Sequence, residues 1–281
     1  MKKTIWSAIV MLALTAGTLK AIGPDAKQLA AKGHMTFIAV LGGDQARFAE
    51  AVKYMEDSQA LDPNDAGNLY NLGRAYFYDA VTNGKPAAYA KAEAVLQKLM
   101  ELQPSETRAV SFHGSLLTSM SQGKDIAMFM KGAQEMKKAI ESDPSNVNNR
   151  IVLAFTARNL PPQALAAMGN YDSLKDLEFI RDAFAGGTFG YAPHAKVVMN
   201  AFVGDAYKLR GDNAKAKENF AAALAQPQPS GTGARAGRDL LDKAIRTRMD
   251  GGETPLGGGA FAGCHSCHLN APDKLLKNGQ F

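Results

Sequence analysis

The sequence predicts an all-α fold, a solenoid of about five helical hairpins closed by a terminal helix. Three observations carry this expectation. From about Pro24 to Asp250 the chain is rich in Ala, Leu, Met, Lys and Glu, all good helix formers. Apolar residues recur at three- and four-residue spacing, as in Phe48, Ala51, Val52 and Met55, and no alternating strand-like run breaks the pattern. Finally, Ala60-Leu61-Asp62-Pro63, Glu101-Leu102-Gln103-Pro104 and Glu141-Ser142-Asp143-Pro144 end three helices alike, with prolines 41 and 40 residues apart. A fixed period in this range is the mark of stacked helical hairpins.

Taken in order, residues 1–21 read as a secretory signal peptide. Lys2 and Lys3 form a basic start, Ile5 to about Ala16 is apolar, and small residues follow, so a cut anywhere from Ala16 to Ala21 fits. The apolar stretch is too short to span a bilayer, and no run of about 20 apolar residues occurs elsewhere, so no transmembrane span is expected. The leader reshapes the charge argument. The full chain carries a formal +5, but Lys2, Lys3 and Lys20 lie in the leader, which holds no acid. Cleavage after Ala21 leaves 29 basic and 27 acidic residues, and no basic run with interleaved aromatics remains, which argues against a nucleic-acid partner.

Residues 22–250 form the expected repeat domain, with hairpins near 24–61, 65–103, 105–142, 145–185 and 193–226. The fourth is irregular: Leu160-Pro161-Pro162 interrupts it and a glycine-rich loop, Ala185 to Gly190, follows. Gly204, Tyr207, Ala216, Phe220 and Ala223 stand at relative spacings of 0, 3, 12, 16 and 19. Small residues let two antiparallel helices approach, and an aromatic fills the space beside them. Gly211-Asp212 suits the tight turn between them. This unit resembles the tetratricopeptide repeat (TPR). Gly73 and Tyr76 open a second such unit, closed by Ala92, Leu96 and Pro104, and Gly114 begins a third. The resemblance covers about 200 residues and implies a concave face that binds a partner protein or peptide. A last helix near 232–250 buries Leu240, Leu241, Ala244 and Ile245 and stops at Gly251-Gly252 as a terminal cap.

Residues 251–263 contain six glycines in thirteen and read as a flexible connector. Residues 264–281 open with Cys264-His265-Ser266-Cys267-His268, the C-x-x-C-H motif of c-type haem attachment. Two intervening residues let the thiols of Cys264 and Cys267 reach the two porphyrin vinyl groups, and His268 follows as the proximal iron ligand. Export delivers the chain to a compartment where such attachment occurs, so a periplasmic or otherwise exported location is expected. A thioredoxin-like site needs a βαβ context that is absent, and a zinc site would draw four ligands from five residues. A Cys264–Cys267 disulfide is the remaining alternative.

The motif resembles that of c-type cytochromes over about 20 residues, but only thirteen residues follow His268. No ordinary cytochrome domain encloses it, so Phe261, Leu269, Leu275, Leu276 and Phe281 can cover only part of a porphyrin. The rest needs the helical body, a partner or another copy of the chain. For the sixth iron ligand, His194, which follows a glycine-rich loop and Pro193, is the long-range candidate. His113, in mid-helix, reads as a packed histidine, His265 as exposed, and His34 as near a helix start. Most of the twelve methionines read as core filler.

The sequence-level reading is therefore an exported monohaem electron-transfer protein, not itself an enzyme, whose TPR scaffold docks it to a redox protein or multisubunit complex, with self-association as a further possibility. Two alternatives stand beside it: a haem peroxidase or gas sensor with an open iron position, and a haem-free periplasmic adaptor with a C-x-x-C disulfide. No distal His/Arg pair is readable for the peroxidase.

Overall fold

A computed structural model describes residues 25–41, 44–121, 124–158, 160, 162–185, 193–228 and 232–252. Helices form four closely packed antiparallel pairs: α1 (Ala26–Leu41) with α2 (Phe48–Leu61), α3 (Ala66–Val81) with α4 (Ala88–Leu102), α5 (Thr107–Ser121) with α6 (Ile126–Ser142), and α10 (Pro193–Leu209) with α11 (Asn213–Leu224). Successive pairs touch through α2 and α3, α4 and α5, and α6 and α7 (Val147–Arg158). Among the described residues there is no strand. The hairpins expected at 24–61, 65–103, 105–142 and 193–226 thus appear with nearly the expected bounds.

Each pair closes on a glycine. A Cβ built on Gly73 would lie 2.9 Å from Leu96 Cγ, and one on Gly204 would lie 2.8 Å from the Phe220 ring. Gly114 and Gly132 face each other so closely that a Cβ on either would come within 2.5 Å of the other's carbonyl oxygen. The first pair obeys the same rule through Gly33, where a Cβ would meet Met55 Cγ at 2.7 Å. Helix α2 stops at Asp62, α4 at Gln103 and α6 at Asp143, with (φ, ψ) of (−132°, 89°), (−135°, 76°) and (−142°, 81°). Proline follows each of these residues and excludes the helical conformation from the position before it. Asp65, Asp125 and Asp212 then accept from the backbone N–H three residues on, at 3.1, 2.9 and 3.1 Å, and start the next helix.

The fourth unit departs from the pattern. Residues 145–185 are not one hairpin but three helices, α7, the six-residue α8 (Pro162–Ala167) and α9 (Leu174–Ala185), with α7 packed on α9. Pro162 can begin a helix but cannot continue one, so the chain restarts there. Arg150 bridges the irregular joint: its guanidinium donates to the Pro144 carbonyl at 2.9 Å and pairs with Asp176, which also accepts from the Tyr171 hydroxyl. Burial and the Asp176 carboxylate both push the Tyr171 hydroxyl above its ordinary range, so it stays a donor.

Two hydrophobic cores result. One runs from Phe37 to Leu116 across the first five helices, and the other from Phe129 to Ile245. The third hairpin spans the boundary, with Phe112 and Leu116 of α5 in the first and Phe129 and Met136 of α6 in the second. The terminal helix α12 (Thr232–Met249) buries Leu241, Ala244 and Ile245 against α10 and α11. Arg238 anchors it, donating to the carbonyls of Gln226 at 3.0 Å and Pro227 at 3.1 Å beyond α11 while pairing with Asp242 at 2.6 Å. Among the described residues, no helix is long and apolar enough to cross a membrane.

Candidate functional site

Cys264, Cys267, His268 and His265 lie outside the described residues, as do the leader (residues 1–21) and the connector from Glu253 onward. The donor set itself is suited to haem c. Two thiols at a separation of three residues can each form a thioether, and an imidazole on the next residue is a ligand for iron. Cys264, Cys267 and His268 are the residues that would hold the group.

The remaining histidines separate by location. His194 lies in the first turn of α10, which gives its backbone a place but does not establish a ligand. His113 is buried on α5, and its Nδ1 lies 2.6 Å from Glu135 Oε2 on α6, so it ties the two helices of the third hairpin together. The expectation of a packed histidine holds there. His34 corrects an expectation: it is not near a helix start but in the middle of α1, one residue after the helix-packing Gly33. It is buried, with Asn71 and Arg74 of α3 beside its ring. Burial first, and the nearby Arg74 guanidinium second, lower its pKa to about 4, so it is neutral at physiological pH. The methionines follow the expectation in part: Met55, Met136, Met168 and Met199 are core residues, whereas Met35 is exposed.

The position after each packing glycine is polar and buried in all four pairs: His34, Arg74, Ser115 and Asp205. Three of these side chains, Arg74, Ser115 and Asp205, reach neighbouring helices rather than solvent. Ser115 Oγ lies 3.0 Å from Thr156 Oγ1 on α7, and Asp205 pairs at 2.6 Å with Arg248 of α12. Arg74 lies over the Phe37 and Tyr70 rings at 5.6 and 5.7 Å and donates to Asn71 at 2.8 Å. Farther along, a cleft of about 410 Å³ opens between α9, α10 and α11, with Arg181, Lys196, Asn200 and Gln226 in its wall. Sequence reasoning missed these positions. A signal existed for His34, since Gly33 before it precedes Pro63 by 30 residues, as Gly73 precedes Pro104 by 31 and Gly114 precedes Pro144 by 30.

This geometry defines the class: a TPR-like helical-repeat protein. No protein-family model matches the chain, and no curated protein matches it. Among solved structures it is similar to MamA, residue 41 to the end, from Desulfovibrio magneticus RS-1. That likeness has 16% identity and a TM-score of 0.42 over 73% of this chain and 96% of the other. It is also similar to YrrB, described as a TPR protein with an unusual peptide-binding site. There the identity is 18% and the TM-score 0.37, over 77% of this chain and 93% of the other. The TPR-like assignment rests on the glycine-closed, proline-stopped hairpins of this chain.

Proposed function

We propose that the chain is an exported monohaem c-type electron carrier whose TPR-like body docks it to a redox protein or complex. One observation carries the reading: Cys264-x-x-Cys267-His268 begins only twelve residues beyond the last described residue of a capped helical scaffold. Haem c would supply one-electron oxidation and reduction. Cys264 and Cys267 would fix it covalently, and His268 would hold the iron on one side.

The body contributes position rather than chemistry. Buried His113, Ser115 and Asp205 join neighbouring helices, and among the described residues no group of three His, Cys, Asp or Glu gathers to hold a metal. A stack of hairpins offers a long surface to a partner.

The test is to purify the exported full chain, denature it and record its absorption. A Soret band retained in denaturant supports the reading. Its absence sinks it and leaves the haem-free adaptor with a Cys264–Cys267 disulfide. Carbon monoxide added to the native reduced protein then separates the carrier from a sensor or peroxidase: a carrier with both axial positions filled shows no rapid spectral change.

A further inference from the structure

Where the helical body ends, the chain is fastened with unusual completeness. Helix α12 closes with Gly251 at φ +89°, in the left-handed region that glycine adopts at no steric cost. Gly251 N–H donates to Arg248 O at 3.3 Å and Gly252 N–H to Thr247 O at 2.9 Å. These are the two bonds of a Schellman stop. Gly252 is tightly seated, since a Cβ there would lie 2.7 Å from Thr247 Cγ2 and 3.0 Å from the Thr247 carbonyl oxygen. Onto this turn reaches Lys208, from the last turn of α10. Its ammonium donates to Arg248 O at 3.0 Å and to Gly252 O at 3.1 Å. One turn back on α10, buried Asp205 pairs with Arg248 at 2.6 Å. Two charged side chains of α10 therefore grip the end of α12.

We propose that Lys208 and the end of α12 form a fixed mount for the C-terminal segment, with Lys208 the positioning residue that locks Gly252 onto α10. A lysine needed only to offset the helix dipole would be satisfied by the terminal carbonyls of α12. This one also holds the carbonyl of Gly252, beyond the helix, where the chain continues towards Cys264. Cys264 lies twelve positions beyond Gly252, so a fixed Gly252 confines the haem-bearing cysteine to within about 40 Å of α10. The partner gripped by the helical body and the group presented to it then share one frame. That use of the mount rests on the haem reading proposed above; the mount itself does not.

The test separates the two. In the full chain with Cys264→Ser and Cys267→Ser, spin labels are placed at Lys217→Cys on α11 and Thr254→Cys just past the mount. A control pair uses Lys217→Cys and Asp239→Cys on α12. The expected result is a narrow 217–254 distance distribution that broadens at least about twofold with Lys208→Met and narrows again with Lys208→Arg, while the 217–239 distribution stays unchanged. Gly251→Ala, strained at its positive φ, should broaden the 217–254 distribution as well, which keeps the test open if Lys208→Met fails to fold. In the otherwise unmodified chain, Lys208→Met should speed amide exchange at Gly252 by on the order of tenfold. An unchanged 217–254 distribution in both variants overturns the mount, whatever the Soret measurement shows. A Soret failure with the expected broadening overturns the haem and leaves the mount.

Discussion

Histidine is used in two ways in this chain, and the contrast divides the molecule. In the helical body His34 and His113 are buried, one neutral among packed helices and the other bonded to Glu135. In the C-terminal segment His268 follows Cys267 directly, inside a five-residue group of reactive side chains. Cysteine is divided more sharply still, with both thiols in the last eighteen residues and none in the body. The body selects residues by repeat register, because each position must fit the next hairpin. The tail selects them by the spacing of functional groups. On the haem reading proposed above, packing and chemistry are kept apart along the chain, and a change in one region should leave the other intact.

The largest test of that separation is a pair of single changes in the motif. Cys267→Ser and His268→Ala should each sharply reduce haem loading, read from the Soret absorbance per chain, while far-UV circular dichroism stays within error of the parent. A parallel loss of helix would break the separation.

The next effect concerns the body alone. His34 has a folded pKa of about 4, below the ordinary 6.5, so the unfolded chain takes up its proton first as pH falls. Its contribution is therefore complete above pH 6.5 and is lost as pH drops towards 4, a change on the order of 3 kcal/mol. Urea unfolding at pH 7 and pH 4 should show this loss, and His34→Leu should flatten that part of the pH profile. An unchanged profile would mean that His34 does not stay neutral on folding.

Two glycines sharpen the packing side. Gly114→Ala should cost about 1–3 kcal/mol, because the new methyl group meets the Gly132 backbone rather than a movable side chain. Gly67→Ala, on the exposed first turn of α3, should instead gain up to about 1 kcal/mol. Thermal melting of the two variants should move in opposite directions. The smallest effect is at a cap: Asp212→Ala removes the side chain that accepts from Lys215 N–H at 3.1 Å and should cost about 1 kcal/mol.

Hairpin bounds were legible in the sequence because a proline after a helix and an aspartate before the next act on their immediate neighbours. Gly33 was legible too, but only by its distance from Pro63, since the first unit lacks the aromatic spacing that marks Gly204. The bridge from Arg150 to Asp176 and Tyr171 was not, because it joins residues brought together only by the broken fourth unit. Lys208 was hidden for the same reason: nothing near position 208 says which carbonyl it meets forty residues later. The C-x-x-C-H motif is the opposite case, since its thiols and imidazoles all stand within five residues.

The most direct test of the account is the mass of the peptide that contains Cys264 and Cys267, released by proteolysis from the denatured, exported protein. The account predicts a peptide carrying one iron porphyrin through two thioether bonds. A peptide at its bare mass, or two hydrogens lighter as a disulfide, would contradict it.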